Sequence, residues 1–345
     1  MITHTFPEKY HIGEWKTHYE YIFRALKELG YRNRVSFVRG KDDKEWFDRL
    51  IAEEVITTLP VNAKLYTSAD INIFNHTTQT QIQKKFRPNH KRNMIVKATG
   101  PTNKHFSIDL LGYAGYSSIS YKKQCLDHIN PEPFFSTQIA DIISNRENKW
   151  GNTKKSLNGF SRALEIPDVP DNHILIIQQS PTDEVVTRFS FGDYMTKFDS
   201  ILSTILEYTK EDIVIKGHPI YKLHNNVIQK IEANPRITFL KDPCSLHDIL
   251  PKTKVAIMEN STSGLECIMH DVPVISYGYP EYHSVTYDLR HLLHLPVALQ
   301  TIDIWWDREN SRKWLTWYVT EYLCYDYEST KRRILQLLDE IKNIS

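Results

Sequence analysis

Residues 212–219 read DIVIKGHP, and residues 255–266 read VAIMENSTSGLE. Each is an apolar run, rich in β-branched residues, that stops abruptly at a cluster of hydrogen-bonding groups. A short continuous apolar run predicts a strand buried on both faces, the kind found in parallel sheets. The pattern recurs nearby, in HILIIQQS (173–180), ITFLKDP (237–243) and PVISYG (273–278). Helical patterns fill the gaps. Within 191–209, Tyr194, Phe198, Ile201, Leu202, Ile205 and Leu206 share one helix face. NNVIQKIEANP (225–235), CSLHDILPKT (244–253) and STSGLECIMHD (261–271) read as three more helices.

Strand and helix alternating at such short intervals predict an α/β domain, a parallel sheet with helices on both faces. Such sheets bind ligands beyond the carboxyl ends of their strands. QQSPTDE (178–184), KGHP (216–219) and ENSTSGLE (259–266) all stand at carboxyl ends. They are expected to converge on one edge and to form a site there.

The first half carries weaker signals. THYEYIFRALKELGY (17–31) reads as a helix ending near Gly30, and WFDRLIAEEVITTLP leads from a helix toward Pro60. Strand-like segments occur in KLYTSADINIFNHTT and NMIVKATGPT, whereas HFSIDLLGYAGYSS (105–118) reads as loop. The expected organisation is an α/β domain over 1–165, a second α/β domain over 166–306, and a helical segment over 307–345 that packs back on the first domain. SLNGFSRALEIPDVPDN, with Pro167 and Pro170, reads as the linker.

A chain of 345 residues suits two domains better than one core. A net charge of +1 argues against a nucleic-acid partner. Cys125, Cys244, Cys267 and Cys324 are widely spaced and form no CxxC pair, so neither a disulfide framework nor a zinc site is expected. The first fifteen residues, MITHTFPEKYHIGEW, lack the apolar core of a signal peptide, and no stretch approaches 18 apolar residues. A cytoplasmic protein is expected. GxxxxGK[ST], HExxH, GxSxG and a post-strand GxGxxG are all missing, which removes P-loop hydrolysis, zinc proteolysis and hydride transfer.

Within KGHP, His218 follows a buried strand and Pro219 turns the chain away from it. An imidazole so placed either bonds a phosphate oxygen and moves protons, or caps a carbonyl in a turn. Gly217 lets the backbone approach a ligand, and Lys216 supplies charge. In ENSTSGLE, Asn260, Ser261, Thr262 and Ser263 precede a helix whose first N–H groups can hold an anion. The plainer reading is a cap: Ser261 or Ser263 caps the helix, with Ser263 and Glu266 at capping-box spacing. Asp183 is a nucleophile, a base or a helix cap. Lys149, in NKWGN, can pair with a carboxylate or phosphate. Asp109 and Tyr113 lie in a glycine-flexible stretch.

A strand ending in K-x-HP, followed about forty residues later by N-S-[ST]-x-G-x-E and a PVI strand, resembles the C-terminal half of GT-B glycosyltransferases. More narrowly it resembles the CMP-sugar-dependent types: the capsule and O-antigen β-Kdo transferases and, more distantly, bacterial sialyltransferases. The resemblance implies two Rossmann-like domains facing a cleft, with His218, Ser261, Thr262 and Ser263 on the CMP phosphate and Glu266 on the ribose. Gln179 and Asp183 resemble a Q-x-x-x-D-x-S-like segment, and Lys149, Trp150 and Asn152 resemble a K-[YW]-N-like element. Asp183 then inherits the role of nucleophile in a retaining transfer of Kdo from CMP-Kdo, without a metal or a cofactor. TDEV departs from the small residues that usually follow that Asp. The resemblance further implies a nucleotide-sugar donor on the 166–306 domain and an acceptor, a glycan or glycolipid, on the 1–165 domain, with Asp109 the candidate to assist it. It also implies at most peripheral association with the inner face of the inner membrane or a polysaccharide assembly complex. The alternatives are an inverting sialyltransferase, a CDP-polyol phosphotransferase and a non-catalytic nucleotide-sugar-binding scaffold.

Overall fold

A computed structural model of the chain describes residues 2–5, 15–36, 44–58, 71–75, 93–121, 123–149, 151–152, 166–190, 194–218, 221–241 and 244–344. These residues form two compact units, Met1–Lys122 with Tyr318–Ser345, and Lys123–Trp317.

In the first unit, β1 (Ile2–Thr5), β2 (Asn33–Ser36), β3 (Thr57–Thr58), β4 (Ile71–Asn75), β5 (Asn93–Ala98) and β6 (Phe106–Asp109) make one sheet. Its order is β3-β2-β1-β4-β5-β6, and only β6 is antiparallel. The helix Lys16–Glu28 stops at Gly30, whose φ of +83° an L side chain rarely adopts. Gly30 N–H bonds Lys27 O and Tyr31 N–H bonds Leu26 O, the paired bonds of a Schellman close. Residues 105–109 differ from the loop expected there. FSID becomes an edge strand because its N–H and C=O groups pair both with β5 and, through Phe106 and Cys324, with the returning C-terminal segment.

The C-terminal helix Tyr327–Ile344 completes this unit. Tyr327 and Lys331 both bond Glu28, and Ile334, Leu337 and Ile341 enter the same core as Tyr19, Phe23 and Leu26. The division into units differs from the expected boundaries at 165 and 307. It falls at Lys122, because Arg146 bonds Asp248 and His247 bonds the Glu147 carbonyl, tying residues 123–152 to the second unit. The helix Arg308–Trp317 also stays with the second unit, held by Arg308 and Arg312 on Asp271.

The second unit contains a small hairpin, β7 (Glu147–Asn148) with β8 (Gly151–Asn152), and an all-parallel sheet. That sheet comprises β9 (His173–Ile177), β10 (Ile213–Lys216), β11 (Ile237–Leu240), β12 (Thr253–Met258), β13 (Val274–Ser276) and β14 (Tyr287–Asp288). Every residue of β9 is buried, as a two-faced strand requires. The expected helix face is buried as well, with Phe198, Ile201, Leu202 and Ile205 at 2% exposure or less. The order β11-β10-β9-β12-β13-β14 repeats that of the first sheet. In both, the winding reverses between the first and fourth strands, where doubly wound sheets open a crevice for ligands. In the second sheet the reversal lies between β9 and β12. Among the described residues, no helix is long and apolar enough to cross a membrane.

Candidate functional site

Three loops leave the carboxyl ends of β9, β10 and β12, and two buried glutamines fasten them together. Gln178 accepts from His218 N–H at 3.0 Å and donates to Tyr221 O at 3.2 Å. Gln179 accepts from the backbone N–H groups of Glu259 and Asn260 at 3.1 and 2.9 Å, and donates to Asn260 Oδ1 at 3.0 Å. Asn260 in turn donates to Val185 O at 3.0 Å. QQSPTDE, KGHP and ENSTSGLE therefore meet at the winding reversal, as their positions after strands required.

His218 is half-buried. Its Nδ1 accepts from Tyr221 N–H at 3.2 Å, so the neutral ring carries its proton on Nε2. Burial lowers its pKa below the usual 6.5, with Asp183 opposing the shift and Lys216 adding to it. Both of those charges therefore lie close to the imidazole. Gly217 serves packing: a Cβ there would stand 3.1 Å from Leu240 O and 3.2 Å from the Phe239 ring.

Asp183 is exposed and caps the helix Glu184–Phe189, with Oδ1 accepting from Val185 N–H at 2.9 Å. That bond orients the carboxylate and leaves Oδ2 with no hydrogen bond among the described residues.

The capping box expected between Ser263 and Glu266 does not form. Thr262 is the cap residue, and Ser263 N–H goes to Ser261 Oγ at 3.2 Å. The Glu266 carboxyl instead lies 4.0 Å from His247 Nε2, and burial pushes its pKa up to about 8, against the pull of Lys216. The turn has its own support. Tyr282 Oη donates to Ser261 O, and a Cβ on Gly264 would stand 2.1 Å from the Tyr282 ring, so only glycine fits. Ser261, Thr262 and Ser263 remain partly exposed.

Lys149 sits at the turn of the β7–β8 hairpin, half-buried. The hairpin reaches the site through His247, whose Nε2 bonds Glu147 O at 2.8 Å. Pro219 and Trp150 lie outside the described residues.

Asp109 belongs to the other unit and is fully buried. Its Oδ1 accepts from Leu111 and Gly112 N–H, and its Oδ2 from Ser118 N–H, Ser118 Oγ and Tyr322 Oη, at 2.5–3.1 Å. Arg333 stands 4.0 Å away. Both oxygens are filled, so the carboxylate organises the 110–118 turns and has no lone pair to spare for the acceptor role expected of it.

Sequence reasoning missed Gln178, His247 and Tyr282. Gln178 had a signal, being the twin of Gln179 at a strand end. His247 sits on a short helix (Leu246–Ile249) and Tyr282 lies beyond β13, and no local pattern marks either.

Residues 154–291 match the family model described as capsule polysaccharide biosynthesis protein. That segment holds all six strands of the second sheet. No curated protein matches the chain. Among solved structures, the chain is similar to KpsC, beta Kdo 2,7 transferase, from Thermosulfurimonas dismutans, with a TM-score of 0.53 and 14% identity over 98% of this chain and 100% of that one. The fold is GT-B. A second match, KpsC beta Kdo 2,4 transferase from the same organism, has a TM-score of 0.51 and 14% identity over 83% of this chain and 90% of that one. The GT-B fold expected from the sequence is thus borne out by the likeness of the whole chain to these structures, and residues 154–291, which include the strand-end clusters, carry the match to the capsule polysaccharide biosynthesis model.

Proposed function

We propose that the chain is a glycosyltransferase that takes Kdo from CMP-Kdo and passes it to a hydroxyl of a surface glycan or glycolipid. The observation that carries this reading is the cluster at the winding reversal. There, the ring proton of His218, the charge of Lys216 and the hydroxyls of 261–263 share one strand-end edge with an oriented carboxylate, Asp183. The family match over 154–291 and the KpsC likeness support the same reading.

In the first step, Asp183 Oδ2 bonds the anomeric carbon as the bond from that carbon to the phosphate oxygen breaks. CMP leaves with the electron pair. His218 Nε2–H and Lys216 meet the charge that gathers on the phosphate. In the second step the acceptor hydroxyl takes the anomeric carbon, its proton passes to solvent base, and Asp183 regains its charge. Glu266, which keeps its proton near neutral pH, both donates to and accepts from ribose hydroxyls.

Calorimetric titration of the purified chain with CMP, UDP and GDP tests the donor. Selective CMP binding that is lost in His218→Ala is the expected result, and preference for UDP or GDP rejects Kdo. The anomeric configuration of the product tests Asp183: retention supports the nucleophile, and inversion makes Asp183 a base, as in the sialyltransferase alternative.

A further inference from the structure

His247 and His270 make a contact whose proton arrangement follows from its partners. His247 Nε2 lies 2.8 Å from the Glu147 carbonyl, which only accepts, so Nε2 bears a hydrogen. His247 Nδ1 lies 2.9 Å from His270 Nε2. In a neutral His247 ring, Nδ1 holds a lone pair and must receive the His270 Nε2–H. Burial keeps both rings neutral, lowering His247 and taking His270 to about 4. The groups around the pair are Asp248 and Arg146, which bond each other, Asp271 beside His270, and the Glu266 carboxyl at 4.0 Å. The His247 proton is already committed to Glu147 O, so it does not neutralise Glu266.

This pair joins two motifs that lie about 110 positions apart in the chain. The 147–152 hairpin carries Lys149, and the helix Ser263–Met269 carries Glu266 and ends beside His270. We propose that His247 is a positioning residue for donor binding: locked as its Nε2–H tautomer by His270, it fixes the Lys149 hairpin to the helix that presents Glu266. The inference rests on the nucleotide-sugar reading above. His247 has one donor and one acceptor, set at a fixed angle. Glutamine reproduces that pair with a side-chain amide, and phenylalanine keeps the ring and removes both.

The test is CMP titration of the full chain for wild type, His247→Phe and His247→Gln, with ring-nitrogen NMR of the histidines. We expect His247→Phe to bind CMP about five- to tenfold more weakly, the worth of roughly one buried hydrogen bond. His247→Gln should recover most of that loss. The wild-type spectrum should show His247 and His270 both protonated on Nε2 alone. A purely structural role would lower thermal midpoints without the recovery in glutamine tracking CMP affinity. Wild-type CMP binding that is unchanged in His247→Phe, or a His247 protonated on Nδ1, overturns the inference and leaves the donor reading intact. Absence of CMP binding in wild type overturns the donor reading and the inference together. If His247→Phe does not fold, the glutamine variant and the tautomer still decide the matter.

Discussion

The two sheets share one strand order, and in each an aspartate stands at or just beyond a strand's carboxyl end, yet the two carboxylates are used in opposite ways. Asp109 ends β6 in the first unit, sealed from solvent, with five donors on its two oxygens. Asp183 follows β9 in the second unit, exposed, with a single capping bond. The first holds a stretch of chain in place; the second is held in place and keeps Oδ2 without a hydrogen bond among the described residues. Position after a strand therefore does not fix how a carboxylate is filled. What decides it is how many donors the local turn and its neighbours aim at it.

The comparison is sharpest if each aspartate is removed in turn. Asp183→Ala is expected to lower sugar transfer by on the order of a thousandfold or more, as loss of a reacting group does. Its stability should fall by only about 1 kcal/mol, the worth of an N-cap. Initial rates and urea midpoints measured on the same preparation check both halves. An activity loss no greater than the stability loss explains would return Asp183 to the rank of a cap. Asp109→Ala should do the reverse, costing about 3 kcal/mol or more because it strands several buried donors and the Arg333 charge. CMP affinity, which the proposed function assigns to the other unit, should hold in this variant, and calorimetry would detect a change.

Gly264→Ala probes the seat of the hydroxyl turn. The added Cβ would meet the Tyr282 ring at 2.1 Å, and overpacking of this kind costs about 1–3 kcal/mol. Trimming the ring in a Gly264→Ala, Tyr282→Leu double variant should return part of the CMP affinity lost in the single one. Strict additivity in that cycle would mean that the two residues do not touch.

The last contrast is one of pH and concerns Glu266. Its pKa is about 8 in the folded protein against 4.5 for an ordinary glutamate, so the folded state holds a proton that the unfolded state has released. More protons bound in the folded state means that stability falls as pH rises between about 4.5 and 8, and levels off above that. Glu266→Gln should flatten that part of the stability profile, as followed by thermal midpoints across the range. A slope that persists would assign it to another group.

Much of this architecture was legible. Continuous apolar runs such as ILII and VAIM point to two-faced strands, because runs this short, bounded by polar clusters, suit a strand buried on both faces. Polar clusters at strand ends point to one edge, because parallel strands all end on the same side. The first unit was harder to read. β6 is only four residues long, and its pairing depends on Cys324, more than 200 positions away. The capping box failed for a related reason. S-x-x-E spacing says where a glutamate can reach, but burial beside His247 and Lys216 outweighed the local bond.

By itself, then, the sequence determined the parallel sheets, the identity of the strand-end clusters and the GT-B resemblance. All of these follow from local periodicity and from residues that are neighbours in the chain. Tertiary structure alone decided which carboxylate is spent and which is open, how the 261–263 turn meets its helix, and which histidine links the Lys149 hairpin to Glu266. Those outcomes depend on donors, rings and desolvation supplied by segments remote in the chain, and no local spacing encodes the order in which such contacts win.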